Sequence, residues 1–403
     1  MSDLLRLSVV VASHGRPDLL YRCLVGLSQQ DLPQFEIIVV ADSAGLDAIE
    51  TLPFARRIKI AKQSEPNISK ARNQGIALAG GEIVAFIDDD AVPEQNWADR
   101  LLARFVDAEV AAVTGRVLGR NGISEQWGEM SFDHLGRDYR GAERAKGPYL
   151  KLHGTNLAIR RNLLCDLGGF DEALRFYLDE TDLAIRLQKQ SLNCMFDTNI
   201  VVHHGFAQSA RRQENRVPKT LFEIGASLAV FLRKHAAPAE MEPRLFEFKK
   251  EQEARLSRFE KVGQLSGSRH GQLMDDLEAG IADGETRYLA QYPAFAEAEA
   301  FRPFRAEGEL VGETRVLSGR WRHRHELRKK AAEMAAQGLR PTVILLQPTP
   351  LAHHLTFETL GYWEQRGGQF GRSDRQKRRV QFWSFRSRVK AEIERIRKFR
   401  PNL

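Results

Sequence analysis

The chain predicts an α/β fold: a mostly parallel central sheet with helices on both faces, then a mainly helical C-terminal extension. Three observations predict it. Apolar, β-branched runs lacking a polar face alternate with helical stretches through the first half, as expected of strands buried on both sides. Three of these runs end directly in Ser13, Asp42 and Asp88, at the strand ends where parallel sheets bind ligands. Further on, charge-dense amphipathic helices replace the runs.

Taken in order, Leu7–Ala12 is the first strand, followed by a turn and a helix over Pro17–Gln29. Phe35–Ala41 is the second strand and Ile58–Ile60 a short third. Ile68, Ala71, Gly75 and Leu78 recur at helical spacing, and Gly80-Gly81 ends that helix. Ile83–Ile87 is a fourth buried strand running into Asp88-Asp89-Asp90, and Ala111–Val117 is a fifth. A further apolar run, Ile200–Val202, ends in His203-His204. Thr220–His235 and Pro243–Val262 read as long amphipathic helices, Val343–Leu346 as a lone strand, and no internal repeat is present. The expected division is an α/β domain over 1–235 and a mainly helical, basic extension over 236–403.

Bulk properties narrow the class. At 403 residues, with 42% hydrophobic and 28% charged residues, the chain is too apolar for global disorder and too polar for a membrane bundle. Its longest apolar stretch, Leu221–Leu232, is interrupted by Glu223 and is shorter than the ~20 residues that span a bilayer. Cys23, Cys165 and Cys194 are odd in number and widely spaced. They form no disulfide framework and no metal-spaced pair, which predicts a cytoplasmic location. The net charge of +7 is concentrated near the C-terminus, with twelve Lys/Arg against three Asp/Glu between Arg372 and Arg400.

Asp88-Asp89-Asp90 is the sharpest chemical signal. Three carboxylates at the end of a buried strand repel one another, and a divalent metal (Mn²⁺ or Mg²⁺) would balance them while holding a diphosphate. The plainer alternative is an acidic turn capping the next helix. Lys70, Arg72 and Asn73 lie off the apolar face of the preceding helix, where cations could meet diphosphate oxygens or simply decorate a surface. Asp42 could accept from a nucleobase or close an Asx turn with Ser43. Further along, Asp179-Glu180-Thr181-Asp182 opens a helix. A carboxylate there suits a general base as well as a cap. His203-His204, at a strand end, is a candidate metal-ligand pair.

In this order the segments resemble the family 2 glycosyltransferases of the GT-A (Rossmann-like) fold. Val9–Pro17 is similar to the family's opening strand and turn, keeping Arg16, and Ala41-Asp42-Ser43 to its Asp-Asp-Gly-Ser. Ala71-Arg72-Asn73-Gln74-Gly75 matches its Ala-Arg-Asn-x-Gly, and Asp88-Asp89-Asp90 with Pro93 and Trp97 its Asp-x-Asp segment. Gly154-Thr155-Asn156 resembles the acceptor-side Gly-x-Asn, and Asp179-Glu180-Thr181-Asp182 is a swapped form of Glu-Asp-x-Asp. The resemblance spans roughly residues 5–235. It implies donor contacts from Ser13, Arg16, Asp42, Lys70, Arg72, Asn73, Asp88 and Asp89. It also implies a metal on Asp88 and Asp90 with His203 or His204, and a base at Glu180 or Asp179. A rhamnosyltransferase-like subgroup falls within it. No Gln-x-x-Arg-Trp motif is present, so transfer of a single sugar is implied rather than processive synthesis.

The activity so expected is inverting, metal-dependent transfer of a hexosyl or deoxyhexosyl group in cell-surface polysaccharide biosynthesis. A nucleotide sugar, UDP- or dTDP-linked, would donate to a hydroxyl of a glycan or lipid-linked acceptor. The rival from another class is an inactive GT-A-like scaffold at a membrane or nucleic-acid surface. The basic tail, with Phe382, Trp383, Phe385 and Phe399 among its arginines, fits an anionic membrane surface, a single-stranded nucleic acid or a solvated helix. The membrane surface is the reading adopted, with no nucleic-acid partner. A dinucleotide oxidoreductase is set aside by the absence of Gly-x-Gly-x-x-Gly after the first strand, and the acidic cluster's place on the fourth strand counts against an early Asp-x-Asp phosphatase.

Overall fold

A computed structural model describes residues 5–205, 215–289, 295, 297–306 and 308–401. In chain order the first half runs β1 (Leu7–Ser13), α1 (Pro17–Leu27), β2 (Phe35–Ala41), α2 (Ser43–Glu50), β3 (Lys59–Lys62), α3 (Ile68–Leu78), β4 (Ile83–Asp88), β5 (Ala91–Pro93), α4 (Trp97–Arg104) and β6 (Val110–Leu118). Short strands β7 (Glu125–Trp127), β8 (Met130–Phe132), β9 (Asp138–Arg140) and β10 (Tyr149–Leu150) follow. Then come β11 (Leu157–Arg160), α5 (Arg161–Asp166), α6 (Asp179–Lys189) and β12 (Asn193–His204).

The main sheet has the order β3-β2-β1-β4-β11-β6-β12-β5, with β7 added beside β6. Strands β1 to β4 pair in parallel, β12 is parallel to β6, and β11 runs antiparallel between β4 and β6. Both faces are filled, as the unbroken apolar runs require. One face packs Leu20, Leu24, Leu27 and Trp97 of α1 and α4; the other packs Ile76, Leu164, Leu183 and Leu187 of α3, α5 and α6. This is the expected mostly parallel sheet with helices on both sides. Gly75 lets α3 lie flat on β1: a Cβ there would run into Val10 Cγ1.

The C-terminal part begins with α7 (Phe222–His235), α8 (Pro238–Lys261) and α9 (Gly267–Thr286), around a core of Leu228, Phe231, Phe248, Leu256 and Leu277. Gly225, Gly280 and Gly284 bring the α7 and α9 backbones together, each facing a carbonyl oxygen of the opposite helix. Beyond them the structure departs from the single strand expected at Val343–Leu346. Four strands, β13 (Thr314–Arg320), β14 (Arg340–Gln347), β15 (His354–Glu358) and β16 (Tyr362–Gly368), form a sheet of order β13-β14-β16-β15. Helices α10 (Arg324–Ala336) and α11 (Phe385–Arg397) accompany it. Only β14 is apolar throughout its middle, so periodicity marked one of the four. The sheet packs on the first half through Val25, Val92, Leu355, Phe357 and Trp363. Arg340 pairs with Asp31 at 2.5 Å, and Gln29 Nε2 donates to Gly361 O at 2.7 Å. Among the described residues no helix is long and apolar enough to cross a membrane.

Candidate active site

The parallel register sets Ser13, Ala41 and Asp88 side by side at the carboxyl ends of β1, β2 and β4. After Asp88 the chain turns through Asp89-Asp90 into β5, which pairs antiparallel with the end of β12. That pairing carries the histidines to the acidic turn. Among the described residues, Asp88, Asp90 and His204 are the one group of three or more His, Cys, Asp or Glu with ligand atoms all within 4.8 Å. His204 Nε2 lies 3.0 Å from Asp90 Oδ1 and 3.9 Å from Asp88 Oδ2. Its Nδ1 sits 3.1 Å from Gln126 Oε1, so Nδ1–H donates to that amide and Nε2 faces the carboxylates.

Two carboxylates and one imidazole suit Mn²⁺ or a similar divalent ion that accepts nitrogen as well as oxygen. His203 is not part of this group. Successive strand residues face opposite ways, and His203 Nε2 meets Glu94 Oε1 at 2.9 Å on the other side.

Several residues expected at the donor have partners within the protein. Ser13 Oγ donates to Asp89 Oδ2 at 2.7 Å, and Arg16 pairs with Asp89 at 2.6 Å and reaches Asp90 at 3.6 Å. Asp89 is therefore a buried partner of Arg16. Burial pushes its carboxyl up to about 7 against the pull of Arg16. Asp42 caps α2, accepting from Gly45 N at 2.9 Å and from Gly15 N at 2.7 Å, the Asx-type alternative of the sequence reading. Lys70 pairs with Glu65 at 2.5 Å on the surface. Asn73 clamps the backbone of Phe170 from both amide atoms, at 2.9 and 2.8 Å.

The Gly154-Thr155-Asn156 segment is likewise internal. Asn156 Oδ1 accepts from Trp97 Nε1 at 2.9 Å, and its Nδ2 donates to Arg116 O and Ile200 O at 3.0 and 3.1 Å, tying α4, β6 and β12 together. Thr155 Oγ1 accepts from Asp88 N at 3.3 Å. Gly154 O accepts from Arg72 Nη2 at 3.2 Å.

Arg72 is the hub of the site. It is buried over the faces of Phe86 and Phe170, pairs with Asp179, and reaches Asp88 at 3.4 Å. It thus joins the metal-type cluster to the carboxylates opening α6. Tyr177 and Leu178, at φ 81° and 64°, turn the chain left-handedly into that helix, a conformation costing about 1–3 kcal/mol per residue.

Asp179 is fully enclosed and hydrogen-bonded to Glu180. Burial, reinforced by the Glu180 charge, pushes its carboxyl up to about 8 although Arg72 opposes this. Burial also disfavours the Glu180 anion, but Lys151, the Asp179 hydrogen bond and Arg72 outweigh it and hold Glu180 below the usual range. Asp182 faces away, gripped by Arg186, Lys234 and His235 at 2.8, 2.5 and 2.8 Å, and anchors α6 to α7.

Four neighbours escaped the sequence reading. Lys151 donates to Thr181 Oγ1 at 2.6 Å and supplies the nearby positive charge. Trp127 lies between the rings of His153 and His204, at 5.8 and 5.5 Å, and Gln126 orients His204. Gln126 and Trp127 sit on the three-residue strand β7, with no motif to mark them. The one available signal was His153, directly before the Gly154-Thr155-Asn156 segment.

Residues 8–168 match the sequence profile of "Glycosyl transferase family 2". Among curated proteins the chain is similar to "O-antigen biosynthesis protein RfbC" of Myxococcus xanthus, 26% identical over 237 residues, which is 53% of this chain and 18% of that protein. It is also similar to "Pre-mycofactocin glycosyltransferase" of Mycobacterium tuberculosis, 29% identical over 145 residues, 33% of this chain and 29% of the other. The matches thus span less than a third of these relatives' lengths. Among solved structures, the mannosyltransferase PcManGT of Pyrobaculum calidifontis, in complex with GDP-Man and Mn²⁺, is 18% identical. That match covers 70% of this chain and 88% of the other with a TM-score of 0.43.

Proposed function

From the premise that residues 8–168 form a glycosyl transferase family 2 domain, we propose that the protein transfers a single sugar, with inversion, from a nucleotide sugar to a hydroxyl of a glycan or lipid-linked acceptor. The observation that carries this reading is the bridge through Arg72, which pairs with both Asp88 and Asp179 and so joins the acidic turn to the carboxylates opening α6. Asp88, Asp90 and His204 would hold a divalent ion. When bound, such an ion neutralises charge on a departing diphosphate.

The chain's own residues supply the rest. Glu180 is the base: it is less enclosed than Asp179 and is held anionic. It takes the acceptor's O–H proton as that oxygen bonds to the anomeric carbon and the bond to the nucleoside diphosphate breaks. Asp179 donates a hydrogen bond to Glu180 and locks Arg72. A single displacement with one base gives inversion. Asp42 and Arg72 are the residues that suggest a UDP- or dTDP-linked hexose or deoxyhexose as donor, and the name of the Myxococcus relative favours a cell-surface glycan as product.

Calorimetric titration with UDP, GDP and dTDP, in Mn²⁺ and in EDTA, tests this together with Asp90→Ala. Metal-dependent binding of one nucleotide, lost in the variant, is the expected result. Absence of binding to all three would overturn the transferase reading in favour of a scaffold.

A further inference from the structure

The loop from Arg372 to Phe382 combines two properties. Between Arg372 and Arg379 it carries five Lys/Arg against one Asp, and Arg375, Lys377, Arg378 and Arg379 are exposed. Beside these cations stand exposed apolar side chains: Leu351 at 58%, Val380 at 47% and Phe382 at 93%. They share one edge. Gly371 bridges to Val380, Gln381 N donates to Phe370 O at 2.9 Å, and Gly368 N donates to Leu351 O at 2.9 Å. The rings of Phe370 and Phe382 are 6.1 Å apart. This edge adjoins the active site: Arg375 Nε donates to Ser124 Oγ at 2.6 Å, and Leu355 N to Asn121 O at 2.9 Å. The turn so held leads directly into Gln126 and Trp127, beside His204.

We propose that this loop docks the protein on an anionic lipid bilayer, with its cations against the headgroup phosphates and Phe382, Val380 and Leu351 in the interfacial layer. Cations alone would serve any polyanion. Aliphatic side chains exposed among them gain only where an apolar phase lies next to the charge. A single-stranded nucleic acid could stack on Phe382 but would leave Leu351 and Val380 in water. A recess lined by Arg320, His323, Glu326 and Arg386 lies alongside, at the start of α11. Docking stands apart from the transfer reading; only the idea that the membrane presents the acceptor rests on that reading.

Co-sedimentation of the full chain with vesicles tests it, using phosphatidylcholine alone and an equimolar mixture with phosphatidylglycerol. Binding is expected to the mixed vesicles only and to weaken with salt. The pair Arg378→Glu and Arg379→Glu should weaken it at least about tenfold. Phe382→Ser should weaken it severalfold with the salt dependence unchanged. Each variant should keep the wild-type melting temperature and nucleotide titration, so a docking failure is distinguishable from failure of the transferase reading. No binding to mixed vesicles, equal binding to both kinds, insensitivity to both variants, or binding to single-stranded RNA that vesicles do not displace would each overturn the proposal.

Discussion

Arg400 and Glu94 form an ion pair sealed from solvent, with Nε 3.0 Å from Oε2 and Nη2 3.2 Å from Oε1. Glu94 follows β5 directly, on the side of the acidic turn opposite His204, and the same carboxylate receives His203 at 2.9 Å. Trp363 of the second sheet covers both partners of Glu94, its ring 4.7 Å from the His203 ring and 4.4 Å from the Arg400 Cζ. Arg400 also donates to Thr342 Oγ1 on β14 at 2.9 Å. The C-terminal sheet is therefore built into the support of the candidate metal cluster.

Truncating Arg400 would leave the Glu94 carboxylate buried without its guanidinium. Arg400→Ala is expected to cost ~3–5 kcal/mol of folding stability, measured as a fall in the urea midpoint. Arg400→Lys, which keeps the charge but not the fork, should recover only part of it. A loss below about 1 kcal/mol, the size of an ordinary surface change, would remove this pair from the account.

The two histidines should separate cleanly. His204→Ala is expected to abolish Mn²⁺-dependent nucleotide binding. His203→Ala should leave that binding within a few-fold while lowering the melting temperature. Gln126→Leu, which removes the acceptor for His204 Nδ1, should weaken Mn²⁺ affinity by about 10–100-fold, followed by Mn²⁺ electron paramagnetic resonance. Equal effects at His203 and His204 would contradict the assignment.

Glu180→Gln should lower kcat by about 10²–10⁴-fold with donor affinity unchanged, once a turnover assay with a competent acceptor is in hand. Asp179→Asn should disturb Arg72 and so affect donor binding and stability along with kcat. A larger and purely kinetic loss at Asp179 would exchange the two roles.

Acid should loosen the second sheet in a defined window. Burial alone would raise the Glu392 carboxyl, but Arg395 and Arg388, with Gln365 donating at 2.7 Å, hold it at about 2 instead of its ordinary 4.5. A carboxyl lowered by folding stabilises fully above its unfolded value, and that contribution fades as pH falls towards the folded value. Stability should thus decline from about pH 4.5 to about pH 2, with a shallower decline in Glu392→Gln. Parallel urea midpoints across that range measure it, and identical slopes would exclude Glu392 as a source.

The strand–helix alternation was legible because a strand buried on both faces must be apolar at every position, as Val9–Val11 and Ile37–Val40 are. The acidic turn and the α6 carboxylates were legible for the opposite reason: charge at the end of an apolar run is conspicuous. The second sheet was largely hidden. Its strands are half-polar, and Glu364 and Gln365 inside β16 are buried against distant partners, Arg328 for the first and Arg395, Glu392 and His353 for the second.

By itself, then, the sequence determined the alternation of β1 to β4 with α1 and α3 and which segments meet at the carboxyl edge of the main sheet, since both follow from local periodicity and from where polar residues interrupt it. Tertiary structure decided which side chains face the site and which are spent on the scaffold. The antiparallel pairing of β5 with β12 turned His204 inward and His203 outward. The contacts around Arg72 made it a bridge between two acidic clusters, and Ser13, Arg16, Asn73 and Asn156 were drawn into internal bonds. Residue spacing alone cannot carry these distinctions, because each depends on partners far along the chain and on the cost of burying a charge without them.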